Sequence, residues 1–313
     1  MNTKQKSVKS LIVALGLIDT SVSLGAEGGA SHYAPGFYGD FGVAVAPEPG
    51  FYLRNDLYHY TGDASGNRFV QSGEIRTNLE FDATMLMFTG LKVTDREIFG
   101  GRYAFGAYVP VLYSGLSATL SAGLGSRQLK DDCAILGDPG IIPLSLYWNC
   151  GNWNHNLSEI ITVPLGTYDV DDDLNGGLNY WSFETAFSTT YLNADSGFEF
   201  SAVLGYLYNT ENTDTNYQTG QEIHLEVMVN QYLSETIAIG LHGFYYRQIS
   251  GDSGRGALLG SLKGEASGIG PAFMWSTQFG GLDTVVTARW MHEFDVDQRL
   301  EGDHFQLSAT LVF

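Results

Sequence analysis

The chain has 313 residues, and 35 acidic side chains against 16 lysines and arginines give it a formal net charge of −19. A protein this acidic does not bind nucleic acid through phosphate contacts, so we expect no nucleic-acid partner. Its 39 glycines, 18 tyrosines and 18 phenylalanines are typical of strands and turns, and they predict an all-β protein.

The first 26 residues have the layout of a secretory signal peptide. Lysines within the first nine residues precede a short apolar run from Leu11 to Ile18, and small residues follow up to Gly25 and Ala26. The apolar run is shorter than the roughly 20 residues that a membrane-spanning helix needs. We therefore predict a signal peptide over residues 1–26, cleaved after Gly25 or Ala26, and an exported mature protein.

Residues 27–50 are rich in glycine, alanine and proline, and they are too broken for a regular strand. The aromatic residues within them suggest an N-terminal extension that folds back into a barrel as a lumen plug; the alternative is a floppy leader. The predicted apolar contacts of the plug are Tyr33, Phe37, Tyr38 and Phe41. Arg54 and Asn55 are candidates to anchor it near the lumen entrance.

Strand patterns fill residues 51–313. The last of them, Asp303 to Phe313, carries apolar residues at every second position, and a strand alternates faces with that period. Such an apolar edge favours a closed barrel in lipid. The predicted strands lie near residues 51–61, 74–90, 100–123, 138–149, 153–165, 178–192, 197–210, 220–232, 236–249, 262–278, 283–294 and 303–313.

The strand count depends on Pro110. Because bacterial single-chain barrels have even counts, we interpret Gly100–Gly123 as one strand that is kinked or bulged at Pro110, which gives about 12 strands. The alternative is 14 strands, with Phe37–Ala46 as an extra strand and a turn at Pro110.

Short turns and longer polar loops alternate along the second half of the chain. Outer-membrane barrels have this asymmetry, whereas a water-soluble sandwich, the alternative fold, gives no reason for it. We predict a transmembrane antiparallel β-barrel in the outer membrane, with membrane lipids and the barrel-insertion machinery as partners. The turns are expected at 149–152, 193–197, 233–236 and 279–283, and the loops at 125–137, 166–177, 210–219, 250–261 and 295–302.

Polar residues opposite the apolar faces are predicted to line the lumen. They either pair across a narrow barrel and hold its wall in shape, or line a polar path. In strand 74–90, for example, Met85 and Met87 are expected to face lipid. The predicted lumen residues are Arg76, Glu80, Asp82, Glu184, Glu199, Glu222, His224, Glu226, His242, Arg289 and Glu293.

Patterns for catalysis, metals or cofactors are weak. The acidic loop Asp169–Asp173 begins like a calcium loop but lacks the required glycine and the bidentate glutamate. Ser253 stands in a Gly-Asp-Ser-Gly sequence, but within a predicted outer loop. Cys133 and Cys150 are predicted at opposite ends of a spanning strand, too far apart for a disulfide. We expect no catalytic residue, no metal and no cofactor.

Motifs spread over nearly the whole mature chain carry a family resemblance. They are Gly29–Phe41, Pro49–Asp56, Gly137–Pro139, Pro143–Leu144, Pro164–Asp169, Leu178–Glu184, Tyr217–His224, Gly251–Gly254 and Trp290–Val296. Together they resemble proteins of the meta-pathway of phenol degradation family. The resemblance implies an outer-membrane barrel related to channels for fatty acids and aromatic hydrocarbons.

The predicted function is a channel for passive uptake of small hydrophobic or aromatic compounds of the phenol or hydrocarbon type. Two alternatives stay open from the sequence. One is a structural or adhesive barrel that transports nothing, and the other is an outer-membrane hydrolase, which needs a serine and a histidine within hydrogen-bonding reach.

Overall fold

A computed structural model describes residues 25–70, 73–122, 125–172, 174–258 and 260–313. Most of the predicted signal peptide lies outside these ranges. The described residues form a 3-10 turn (Glu27–Gly29) and strands β1 (Gly50–Val70), β2 (Gly73–Ile98), β3 (Gly101–Ala122), β4 (Gly125–Leu136), β5 (Gly140–Cys150), β6 (Trp153–Thr162), β7 (Ser182–Asn193), β8 (Phe198–Asn209), β9 (Glu222–Tyr232), β10 (Ile237–Gln248), β11 (Glu265–Phe279), β12 (Leu282–Asp297) and β13 (Glu301–Val312). Within the same ranges, no helix has the length and apolar character needed to cross a membrane.

Twelve of the strands form a closed antiparallel ring. β1 pairs with both β2 and β13, so the first and last strands close the barrel as predicted. β3 runs through Pro110 without a turn and pairs with β2 on one side. The predicted 12-stranded barrel is therefore confirmed.

The prediction of a loop after β3 was wrong, because a strand, β4, lies there. Residues 125–137 were expected to form a loop, but most of them form this thirteenth strand. β5 pairs only with residues 102–108 of β3, whereas β4 pairs with residues 111–122. Because β3 continues well past β5, β4 covers an edge that would otherwise be unpaired.

The alternation of short turns and long loops is present in the fold. Short turns separate β5 from β6, β7 from β8, β9 from β10 and β11 from β12, and long loops follow β6, β8 and β10. The prediction of a long loop at 295–302 was wrong, because β12 and β13 extend into this range and only residues 298–300 connect them. Gly50 and Phe313 lie at the turn end of the barrel, and we call the opposite end the loop end.

The two faces of the wall differ in polarity. Buried inward positions are mostly polar, whereas large apolar side chains are exposed on the outward face. An outward apolar surface on a closed barrel is what a lipid bilayer requires, so this is a transmembrane β-barrel. The exposed outward residues include Leu86, Phe88, Phe105, Phe183, Phe187, Leu204, Leu225, Leu241, Ile269, Phe273, Trp275, Trp290, Phe305 and Leu307.

Candidate functional site in the barrel lumen

The N-terminal segment, residues 25–49, contacts the inward faces of the strands along its length. Near the loop end, Ser31 Oγ donates to Glu222 Oε2 (2.5 Å). Farther along, Gly42 N donates to Glu199 Oε1 (2.9 Å), and Ala44 N donates to Thr190 Oγ1 (3.1 Å) close to the turn end.

Four aromatic rings of this segment and the wall stack on one another. Tyr33 is buried, with its ring 4.1 Å from that of His224 and 5.7 Å from that of Tyr246. The Tyr38 ring lies 4.9 Å from that of His224 and 6.1 Å from that of Tyr33. The stack joins two residues of the segment to β9 and β10, and its flat apolar faces are suited to packing against an aromatic ring.

Carboxylates of the wall hold the polar ends of these rings. Tyr33 Oη donates to Glu226 Oε1 (3.0 Å), and Tyr38 Oη donates to Glu184 Oε2 (2.6 Å). Glu184 Oε1 lies 2.9 Å from His224 Nε2, which fixes the histidine ring within the stack. The remaining predicted aromatics also touch the wall, since the Phe37 ring centre is 6.2 Å from that of Tyr58 and the Phe41 ring centre is 5.3 Å from that of His242.

Arg54 joins the segment to the wall. Its guanidinium forms an ion pair with Asp40 of the segment and binds Asp56 of β1 through Nε (2.9 and 3.0 Å). Its Nη2 donates to Ser308 Oγ (2.9 Å). A second arginine, Arg289, donates from Nη2 to the carbonyl oxygen of Phe37 (3.0 Å).

Gly39 permits a close approach between the segment and three polar groups of the wall. A methyl group at this position would lie 2.7 Å from Arg289 Nη1, 2.9 Å from Glu226 Oε2 and 3.4 Å from His242 Nδ1. Groups from β9, β10 and β12 thus converge on one glycine, and a larger residue there would have to push them apart.

A serine, a histidine and an aspartate form a chain at the loop end. His32 Nδ1 lies 2.6 Å from Ser182 Oγ, and His32 Nε2 lies 3.0 Å from Asp138 Oδ2. However, Ser182 donates its proton to Asn209 Oδ1 (2.5 Å), and the Asn209 amide donates to Glu222 and to a backbone carbonyl, which fixes its orientation. Because its proton is directed to Asn209, Ser182 does not have the arrangement of an activated nucleophile.

Most predicted lumen residues lie on the inward face. Those buried there are Glu184, Glu199, Glu222, His224, Glu226, His242, Arg289 and Glu293. The side chain of Arg76 lies outside the described part of the structure.

Three predicted site residues face the wrong way. Asn55 is opposite Phe88 and Ala309 on the outward face. Glu80 and Asp82 are exposed on the outward face of β2, and Met85 and Met87 face inward. β2 has 26 residues, whereas about 9–11 cross a bilayer, so outward charges are tolerated on the part beyond the lipid.

Sequence reasoning missed several lumen contacts. Asp56 could have been found, because it lies two residues after Arg54 and therefore on the same face of β1. His32 and Asp138 gave no such signal, because they are 106 residues apart along the chain. Asp40 is only 14 residues from Arg54, but it lies in an irregular segment whose path no strand periodicity predicts.

The described residues contain no group of three or more His, Cys, Asp or Glu side chains that could hold a metal ion. Cys150 is a free, exposed thiol at the turn end, whereas Cys133 belongs to β4 and its side chain lies outside the described part. The arrangement as a whole is that of an outer-membrane β-barrel with polar and aromatic groups on its inner wall.

Two solved structures are similar to this chain. The structure is similar to that of an outer membrane channel from Pseudomonas putida F1, with a TM-score of 0.64 and 14% identity over 90% of this chain and 100% of that one. A FadL homologue from Pseudomonas aeruginosa has a TM-score of 0.43 and 10% identity, over 84% of this chain and 90% of that one. A search of curated proteins finds no match.

A family profile described as "Putative MetA-pathway of phenol degradation" matches residues 59–309. This range is most of the barrel, so the chain belongs to that family.

Proposed function

We propose that this protein is a channel for passive uptake of small hydrophobic or aromatic compounds across the outer membrane, and that its N-terminal segment is a plug in the lumen. The observation that carries the proposal is the stack of Tyr246, Tyr33, His224 and Tyr38. Family membership and the likeness to a channel fold support it. Such compounds cross the polysaccharide layer poorly, so an aromatic-lined route gives them a path.

In this proposal the plug makes its apolar contacts through Tyr33, Phe37, Tyr38 and Phe41, and Arg54 anchors it through Asp40. Carboxylates satisfy the polar ends of Tyr33 and Tyr38. Because the rings of Tyr33, His224 and Tyr246 are buried, a passing molecule meets their aromatic faces only when the segment moves aside.

An uptake assay tests this function. A Gram-negative host without its general porins is compared with and without the protein, and initial rates are measured for labelled toluene, phenol and a sugar. We expect the protein to raise the rate severalfold for toluene and phenol, after subtraction of the unaided background, and to leave sugar uptake nearly unchanged. If the protein stimulated the uptake of all three compounds equally, or of none, the result would contradict the proposal.

The second candidate is a barrel that transports nothing and serves a structural or adhesive role. Its support is that Tyr33, His224 and Tyr246 are each at most 1% exposed, so the segment packs tightly at this level. The uptake assay separates the two, because a structural barrel would stimulate no compound.

We propose no enzymatic activity. Among the residues that the structure describes, the serine with a histidine partner is Ser182, which is buried and donates its proton to Asn209. His292 lies on the outward face beside Asp303. An active-site fluorophosphonate probe is expected to leave the folded protein unlabelled. Labelling at Ser182, located by mass spectrometry of the digested protein, would instead favour a hydrolase.

A further inference from the structure

Gly25 and Ala26 lie buried at the loop end of the barrel. Ala26 is 2% exposed, and its backbone nitrogen donates to Asp252 Oδ2 at 3.1 Å. Asp252 is 3% exposed and precedes Ser253 in the loop after β10. The start of the N-terminal segment is therefore held directly by a buried carboxylate.

This carboxylate has neutral donors around it. Gly220 N (3.1 Å), Tyr217 Oη (2.5 Å) and Gln248 Nε2 all donate to Asp252. Among the residues that the structure describes, no lysine or arginine forms an ion pair with it. Burying a carboxylate without an opposite charge is costly, so a positive charge on one of its donors would stabilise it.

A second carboxylate adds to the negative charge. Glu27 follows Ala26, and its side chain accepts a hydrogen bond from Asn212 Nδ2 (3.1 Å). Burial raises the pKa of Glu27, and the nearby charge of Asp252 raises it further. A positive group at this place would stabilise both acids.

The backbone of Ala26 gives an independent indication. In the uncleaved chain this alanine has φ +63°, in the left-handed region that residues with a β-carbon rarely adopt. A positive φ is unfavourable because the β-carbon of Ala26 crowds the flanking peptide groups. This strain is relieved if Ala26 becomes the first residue, since no carbonyl then precedes its nitrogen.

The sequence before Ala26 fits cleavage at this bond. Signal peptidases require small residues one and three positions before the cut. Cleavage after Gly25 places Gly25 and Ser23 there, whereas cleavage after Ala26 would place Leu24 at the third position.

We propose that the mature chain begins at Ala26 and that its new α-ammonium group forms a buried ion pair with Asp252, which locks the outer end of the segment. Water hydrolyses the Gly25–Ala26 peptide bond: the carboxylate stays on Gly25 and leaves with the leader, and the ammonium forms on Ala26. The hydrogen bond from Gly25 N to the Gln298 carbonyl (2.7 Å) is lost with the leader. The inference rests on removal of the leader and not on transport.

The first test is the N-terminus of the protein purified from outer membranes, read by intact mass and terminal sequencing. We expect a chain that starts at Ala26. A mature chain that starts at any other residue overturns the proposal.

The second test breaks the ion pair from each side. Chains refolded into detergent start either at Ala26 or with one additional glycine, and each is made with and without Asp252→Asn. We expect the extension and D252N each to speed protease cleavage within residues 26–49 by about tenfold, and the two together to do no more than either alone.

The matched control is Asp195→Asn, an exposed aspartate in a turn at the other end of the barrel, which should not change the cleavage rate. Heat-modifiable gel mobility reports whether each barrel is folded, so a cleavage rate is compared only among folded barrels. An extension that leaves cleavage unchanged, or effects that multiply when combined, would contradict the ion pair.

Discussion

Replacement of residues 31–45 with a glycine–serine linker of the same length should turn the barrel into a water-filled pore. These residues contact the inward faces of β7, β8 and β9 through Glu184, Glu199 and Glu226. Eight strands give an interior that side chains fill, and a 12-stranded ring is wider, so removal of the segment leaves room for water. We expect single-channel conductance in planar bilayers to rise severalfold, and sugar-driven liposome swelling to become fast.

The control for this change is a linker of the same composition in place of residues 169–172, which are exposed in an outer loop. That variant should keep the original conductance. If the variant without residues 31–45 also conducted as the unchanged protein does, the segment would not be what limits flow through the barrel.

Arg54→Met should have the largest effect on stability among single substitutions of the segment's anchors. The change leaves Asp40 and Asp56 without their shared cation. Removal of one partner from a fully buried ion pair costs about 3–5 kcal/mol, and because the side chains of Arg54 and Asp40 are 25% and 17% exposed, we expect a loss of about 2 kcal/mol here. The free energy of unfolding, measured by urea titration in detergent or lipid, should fall by about that amount. Addition of Asp40→Asn to the Arg54→Met variant should restore part of the lost free energy of unfolding, because one uncompensated charge is removed.

Asn55→Ala is the matched control for Arg54→Met. Asn55 is the next residue on β1, but it faces outward opposite Ala309 and Phe88, so its removal should change the free energy of unfolding by less than about 0.5 kcal/mol. Equal losses for the two variants would show that Arg54 does not act through the buried cluster.

The strand pattern was sufficient to predict the barrel, because closure and strand count depend on local alternation and on turn positions. The last strand illustrates this, since its alternating apolar residues from Phe305 to Leu311 do face outward beside β1. The pattern was not sufficient at β2. Alternation shows that two faces differ but not which one meets water, and outside the lipid an outward charge such as Glu80 is stable.

The contacts of the lumen were harder to predict for a different reason. Residue types alone indicated that Tyr33 and Tyr38 pack inside, but their partners Glu226 and Glu184 are 193 and 146 residues away along the chain. Pairs such as Arg54 and Asp40 depend on how the segment enters the barrel, and no periodicity records that path.

Both the channel proposal and the proposed ion pair between Ala26 and Asp252 require the N-terminal segment to lie inside the barrel. One crosslink tests this position directly. Ala44 N lies 3.1 Å from Thr190 Oγ1, which limits their Cα separation to about 7 Å, within reach of a disulfide. Cysteines at both positions, in a chain with Cys133 and Cys150 replaced by serine, should oxidise to an internal disulfide in intact outer membranes. The two fragments should then stay joined after cleavage between residues 44 and 190 until a reductant is added. If the pair stays reduced in a folded barrel, residues 31–45 are not inside it, and the account of a plugged channel is wrong.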